Sequence, residues 1–81
     1  LLVPLAFMIA ENSVQLILLF GAIFLVLITE LLNTAVEAVV DRVGLERHEL
    51  SGRAKDMGSA AVSLSIILFF VVWGIIVAEN F

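Results

Sequence analysis

Read for hydrophobic and polar positions, the chain alternates three apolar runs with two short polar stretches. Residues 1–10 contain no charged side chain. As a helix they reach about 15 Å, half of a ~30 Å hydrocarbon core, so they read as the last turns of a membrane helix whose beginning is missing. Glu11, Asn12 and Ser13 predict a tight polar turn. Residues 14–29 are almost wholly apolar, and the helical pattern continues to about residue 43. That is about 45 Å of helix, enough to cross the core and project beyond it. Arg42 in the last turn and Gly44 just after it are C-terminal signals. Residues 44–52 form the one strongly polar loop, with Ser51 the expected N-cap of a third helix over 53–78. Its apolar part, 57–78, spans about 33 Å.

The second helix departs from the apolar pattern in one informative place. Glu30, Asn33, Glu37 and Asp41 stand at i, i+3, i+7 and i+11, which puts them within roughly 80° of one another on one face. Thr34 lies on the same flank. Carboxylates this close to a lipid-buried run are costly and mark a functional site by default. Glu30 and Glu37 are about 10 Å apart along the axis, too far to share one proton. They suit separate tasks, one as general base and one as ligand to a hard Mg²⁺ ion. Asn33 between them can orient a water or a phosphate oxygen. The alternative is a solvated helix end at Glu37 and Asp41, with Asn33 bonded to a neighbouring helix.

Composition sharpens this picture. Of 81 residues, 63% are hydrophobic and mean hydropathy is +1.23, more apolar surface than so small a soluble domain can hide. The expected class is therefore an all-α polytopic membrane protein, a helical bundle with three spans of which the first is cut short. There is no cysteine, hence no disulfide, thiolate nucleophile or zinc–thiolate site. A net charge of −4 and the lack of a basic patch with aromatics argue against nucleic acid. All four basic residues, Arg42, Arg47, Arg53 and Lys55, lie in or beside the loop after the second helix. The positive-inside bias puts that loop in the cytoplasm, and residues 11–13 and the C-terminus outside.

A second polar group, Arg53, Lys55, Asp56 and Ser59, stands at the entry of the third helix, where a helix N-terminus and a lysine attract phosphate. The competing reading is interfacial anchoring by the two cations and close packing at residues 58–61. His48, alone in its loop between Glu46 and Glu49, supports no Ser-His-acid arrangement. Glycine-rich nucleotide signatures are absent. Phe69, Phe70 and Trp73 are expected to meet lipid or a neighbouring subunit.

ELLNTAVEAVVDR (30–42), followed by HELSGRAKDMGSAAV (48–62), resembles the small prokaryotic integral-membrane diacylglycerol kinase family. Both motifs occur in order on adjacent helices, and the resemblance covers most of the chain after Val14. It implies a homotrimer of three-span subunits in the bacterial inner membrane, with sites between subunits, that moves the γ-phosphoryl group of ATP to diacylglycerol. Glu30 then matches the catalytic base, Glu37 the helix-borne Mg²⁺ ligand, and Asn33 supports the γ-phosphate. Lys55 and Asp56 match nucleotide contacts. Glu46, Arg47 and His48 match the loop over the adenine end, Arg47 through its backbone. Ser59 and Trp73 match lipid-lining positions. The family also carries an amphipathic cytoplasmic helix with a second metal-binding glutamate, a segment expected before Leu1. Undecaprenol kinase, which shares NTAVEAVVD, is the sister reading. A non-enzymatic oligomer binding cations through Glu30 and Glu37 is the reading from another class.

Overall fold

A computed structural model of the chain describes residues 1–43 and 49–81. Among them the structure is helical, with α1 (Leu2–Ile9), α2 (Ser13–Val43) and α3 (Glu49–Asn80) in order. The bundle is long and narrow, 51 × 18 × 17 Å. Two of its helices, α2 and α3, are long and apolar enough to cross a membrane.

The α1–α2 corner is made by the side chains of its own polar turn. Asn12 Oδ1 accepts the Gln15 N–H at 2.9 Å, and Gln15 Oε1 accepts the Glu11 N–H at 3.0 Å. This reciprocal pairing is a variant of the capping box, and it satisfies two N–H groups that the helix start would leave orphaned. The Asn12–Gln15 spacing carried that signal in the sequence.

Helices α2 and α3 run antiparallel along a common seam. On α2 the positions Leu19, Ala22, Val26, Thr29, Asn33, Val36 and Val40, each buried or half-buried, alternate steps of three and four, while Leu16, Phe20 and Ile23 widen the buried face where α1 packs. That average of 3.5 residues is the period of left-handed, nearly aligned helix packing. The apolar core sits at one end, where α1 joins the pair: Ala6, Ile9, Leu19, Ala22, Trp73 and Ile76. A polar clasp closes this end, with Asn80 Nδ2 donating to the Ile9 carbonyl at 2.8 Å and to Gln15 Oε1 at 2.9 Å. Outside the seam, large apolar side chains such as Leu31 and Phe70 point away from the bundle, the arrangement that lipid solvates.

Two expectations need correcting. The third helix begins at Glu49, not at residue 53, so Ser51 lies inside it and is not its cap. Glu49 is favourable in a first turn, and its i, i+4 ion pair with Arg53 at 2.9 Å supports helix upstream of the serine. Trp73, expected at a lipid or subunit surface, is buried within the bundle. There its indole N–H donates to the Leu19 carbonyl at 3.2 Å and its ring stacks on Phe69 at 5.2 Å. Phe69 is half-buried, and of the three aromatics only Phe70 turns fully outward. Gly44 as a helix stop, and Glu46, Arg47 and His48 as site residues, lie outside the described residues.

Candidate functional site

The polar stripe of α2 divides between the seam and its flank. Asn33 follows Thr29 in the seam and is half-buried, whereas Glu30, Thr34, Glu37 and Asp41 lie exposed beside it. The division follows from the helical period, since a residue adjacent in sequence to a seam position is turned about 100° away. Glu30 is next to Thr29, and Glu37 is next to Val36. Both carboxylates therefore border the α2–α3 interface without entering it.

Local hydrogen bonds order part of this group. Asn33 Nδ2 donates to Glu37 Oε1 at 3.1 Å, tying the amide to the carboxylate one turn away. Thr34 Oγ1 donates to the Glu30 backbone carbonyl at 2.9 Å. Among the described residues the Glu30 carboxylate itself has no hydrogen bond or ion pair, and its side chain is exposed. Asn33 Oδ1 is buried and, among those residues, has no hydrogen-bond partner.

Helix α3 supplies the facing side. Asn33 packs on Gly58, where a Cβ would collide with its side chain. Lys55 Nζ donates to Asp41 Oδ1 at 2.8 Å. These two contacts bring Lys55 and Asp56 to about the level of Glu37 along the bundle, and Ser59 to that of Asn33. The hydrogen bond to Asp41 and the charges of Asp41 and Glu37 raise the Lys55 pKa above its ordinary 10.5, so the amine is a fixed cation at neutral pH. Asp56 and Ser59 are exposed. Trp73 stands apart: it lies at the level of Leu19, about 16 Å from Glu30 along α2.

No group of three His, Asp or Glu side chains gathers among the described residues. The donor set fits a cation that needs few protein ligands. Mg²⁺ takes one or two carboxylates and completes its shell with water and phosphate oxygens. Glu37, exposed and held by Asn33, offers one such carboxylate.

One element of the site escaped the sequence reading. Thr29 Oγ1 and Ser65 Oγ meet across the seam at 2.8 Å, one turn along α2 and two along α3 from the Asn33–Gly58 contact. The signal was a threonine and a serine inside otherwise apolar runs.

Comparison with known proteins places these features in a family context. The family described as prokaryotic diacylglycerol kinase matches residues 1–77. A diacylglycerol kinase of Haemophilus influenzae is 53% identical over 74 residues, covering 91% of this chain and 63% of the relative. One from Escherichia coli strain K12 is 53% identical over 70 residues, covering 86% of this chain and 57% of its own length. One from Pseudomonas aeruginosa is 48% identical over 75 residues, covering 93% and 61%. The chain thus spans about three-fifths of the length of these curated relatives.

Proposed function

Since this chain belongs to the prokaryotic diacylglycerol kinase family, we propose that it forms the membrane core of a lipid kinase that phosphorylates diacylglycerol with ATP to give phosphatidic acid. The observation that carries the reading is the pairing of an unengaged Glu30 with a Glu37 held by Asn33 at 3.1 Å, both on one helix face opposite a lysine.

In this reading Glu30 accepts the proton of the lipid hydroxyl as its oxygen attacks the γ-phosphorus. The bond from that phosphorus to the bridging oxygen breaks, and ADP leaves with the electron pair. A base must stand within hydrogen-bond reach of the proton it takes; what supports Glu30 in this role is that its unengaged carboxylate lies at the edge of the apolar run, the depth at which a diacylglycerol hydroxyl would lie. Glu37 would hold Mg²⁺, which when bound neutralises phosphate charge. Asn33 orients the γ-phosphate side of the nucleotide. Lys55 contributes a fixed positive charge toward the phosphates, and Asp56 contacts the nucleotide. The family resemblance assigns Glu46, Arg47 and His48, outside the described residues, to the adenine end. The lipid runs along the outer face carrying Ser59, its acyl chains directed toward the level of Trp73, about 21 Å deeper on α3.

One chain presents these groups on an open flank, so we place the complete site between subunits of a homotrimer. The basic loop then faces the cytoplasm of a bacterial inner membrane, where Mg·ATP is supplied.

The test is phosphorylation of diacylglycerol and of undecaprenol by the full-length protein in lipid micelles with Mg·ATP, with Glu30→Gln alongside. Phosphatidic acid formed by the parent and lost in the variant supports the assignment. Turnover of undecaprenol alone moves the substrate to a polyprenyl alcohol. A folded oligomer that phosphorylates neither lipid overturns the kinase reading.

A further inference from the structure

We propose that Thr29 and Ser65 are positioning residues, whose hydroxyl–hydroxyl bond sets the rotation of α2 against α3 and thereby aims the Glu30 carboxylate. The proposal rests on the reading of Glu30 as the base.

The oxygens are 2.8 Å apart. Ser65 is buried and Thr29 half-buried, with apolar neighbours along both helices. Each hydroxyl also lies against a carbonyl of its own helix, Thr29 Oγ1 at 3.0 Å from the Val26 oxygen and Ser65 Oγ at 2.7 Å from the Val62 oxygen. Two hydroxyls carry two protons, and there are three contacts to fill. With both protons on the carbonyls the two hydroxyl oxygens would meet lone pair to lone pair at 2.8 Å, so the close approach favours one proton across the helices while the other returns to a carbonyl. The bridge exists in either direction, Thr29 to Ser65 to Val62 or Ser65 to Thr29 to Val26.

Apolar pairs at these positions would pack equally well over a range of rotations, because the hydrophobic effect is non-directional. A hydrogen bond weakens steeply off its axis, and in a span no water replaces it. Thr29 precedes Glu30 directly, so the bridge acts on the backbone that carries the carboxylate. A rotation of α2 by about 10° moves a side-chain tip about 6 Å from the axis by roughly 1 Å. Misplacement on that scale can cost on the order of 100-fold in rate. Asn33 against Gly58, one turn along, supplies a second point of contact, so the rotation is held at two levels flanking Glu30.

The experiment compares Thr29→Val, Ser65→Ala, the double variant and Thr29→Ser in the full-length protein in lipid micelles. We expect each single loss to lower kcat about three- to tenfold, with the KM for Mg·ATP unchanged, in line with the modest strength of single interhelical hydrogen bonds in membranes. The double variant should be no slower than the singles, and Thr29→Ser should restore kcat. Unchanged kcat, additive losses, or failure of Thr29→Ser to rescue overturns the proposal. A readout independent of catalysis uses the absence of cysteine in these 81 residues, with any cysteine elsewhere in the full-length protein replaced. Spin labels on cysteines introduced at Val39 and Met57, diluted with unlabelled subunits, should give a broader distance distribution when both hydroxyls are removed. An unchanged distribution overturns the rotational role. If Glu30→Gln keeps its activity while the distances broaden, the base assignment fails and the rotational lock stands.

Discussion

Asn33 Oδ1 occupies the space in which a side chain at Gly58 would begin. The buried amide oxygen lies against the glycine with no hydrogen-bond partner among the described residues, while the amide nitrogen of the same side chain holds Glu37. One residue thus couples close helix approach to the orientation of a proposed metal ligand.

Gly58→Ala should force these helices apart or swing the Asn33 amide off Glu37. Overpacking of this kind typically costs about 1–3 kcal/mol. Thermal denaturation of the oligomer in detergent should show the loss, together with a higher Mg²⁺ requirement. A variant with parental stability and parental Mg²⁺ dependence would show that the contact relaxes without consequence.

The two glutamates should respond differently. Glu30→Gln removes the proposed base and should lower transfer at least about 100-fold, the lower range for general-base catalysis, with assembly intact. Glu37→Gln should raise the Mg²⁺ concentration needed for half-maximal turnover, or abolish turnover. Size-exclusion profiles and Mg²⁺ titrations separate the two. Dissociated oligomers in both variants would make the pair structural.

Lys55 links the site to pH. Its pKa is raised in the fold, first by the hydrogen bond from its amine to Asp41 and then by the charge of that carboxylate. A raised cation stabilises the fold fully below its unfolded pKa of 10.5, and the contribution fades as pH rises through the higher folded value. Asp41→Asn should lower the Lys55 pKa, seen in an NMR titration of the labelled amine, and leave stability near neutral pH little changed because both partners are substantially exposed. A Lys55 pKa unmoved by Asp41→Asn would dismiss the pair. Lys55→Met should raise the KM for Mg·ATP about tenfold.

Trp73 offers a stability probe remote from Glu30. Trp73→Phe gives up the bond to the Leu19 carbonyl, at about 0.5–1.5 kcal/mol. Trp73→Ala opens a cavity beside Leu19 and Phe69 and should cost about 3–5 kcal/mol. Denaturation curves check both, and equal effects would place the indole outside the core.

The hydrophobic and polar pattern was enough to predict the helices, the turn at residues 11–13 and the polar face of α2, because each depends on local periodicity. The helix ends were less legible. Ser51 satisfied the rule for an N-cap, yet the helix already includes Glu49, an upstream turn that the exposed Glu49–Arg53 pair favours only weakly. The motifs at 30–42 and 48–62 identified the family, because they state chemistry directly in residue types.

By itself, then, the sequence determined that the chain is helical and apolar, where its carboxylates lie, and to which family it belongs. Only the tertiary structure decided that Thr29 meets Ser65, that Asn33 interlocks with Gly58, and that Trp73 turns inward to Leu19. Those outcomes depend on the register and rotation of two helices against each other. Hydrophobic burial is nearly indifferent to small slips in either, so the choice falls to a few directional hydrogen bonds and the close fit of Asn33 on Gly58, residues far apart in the chain.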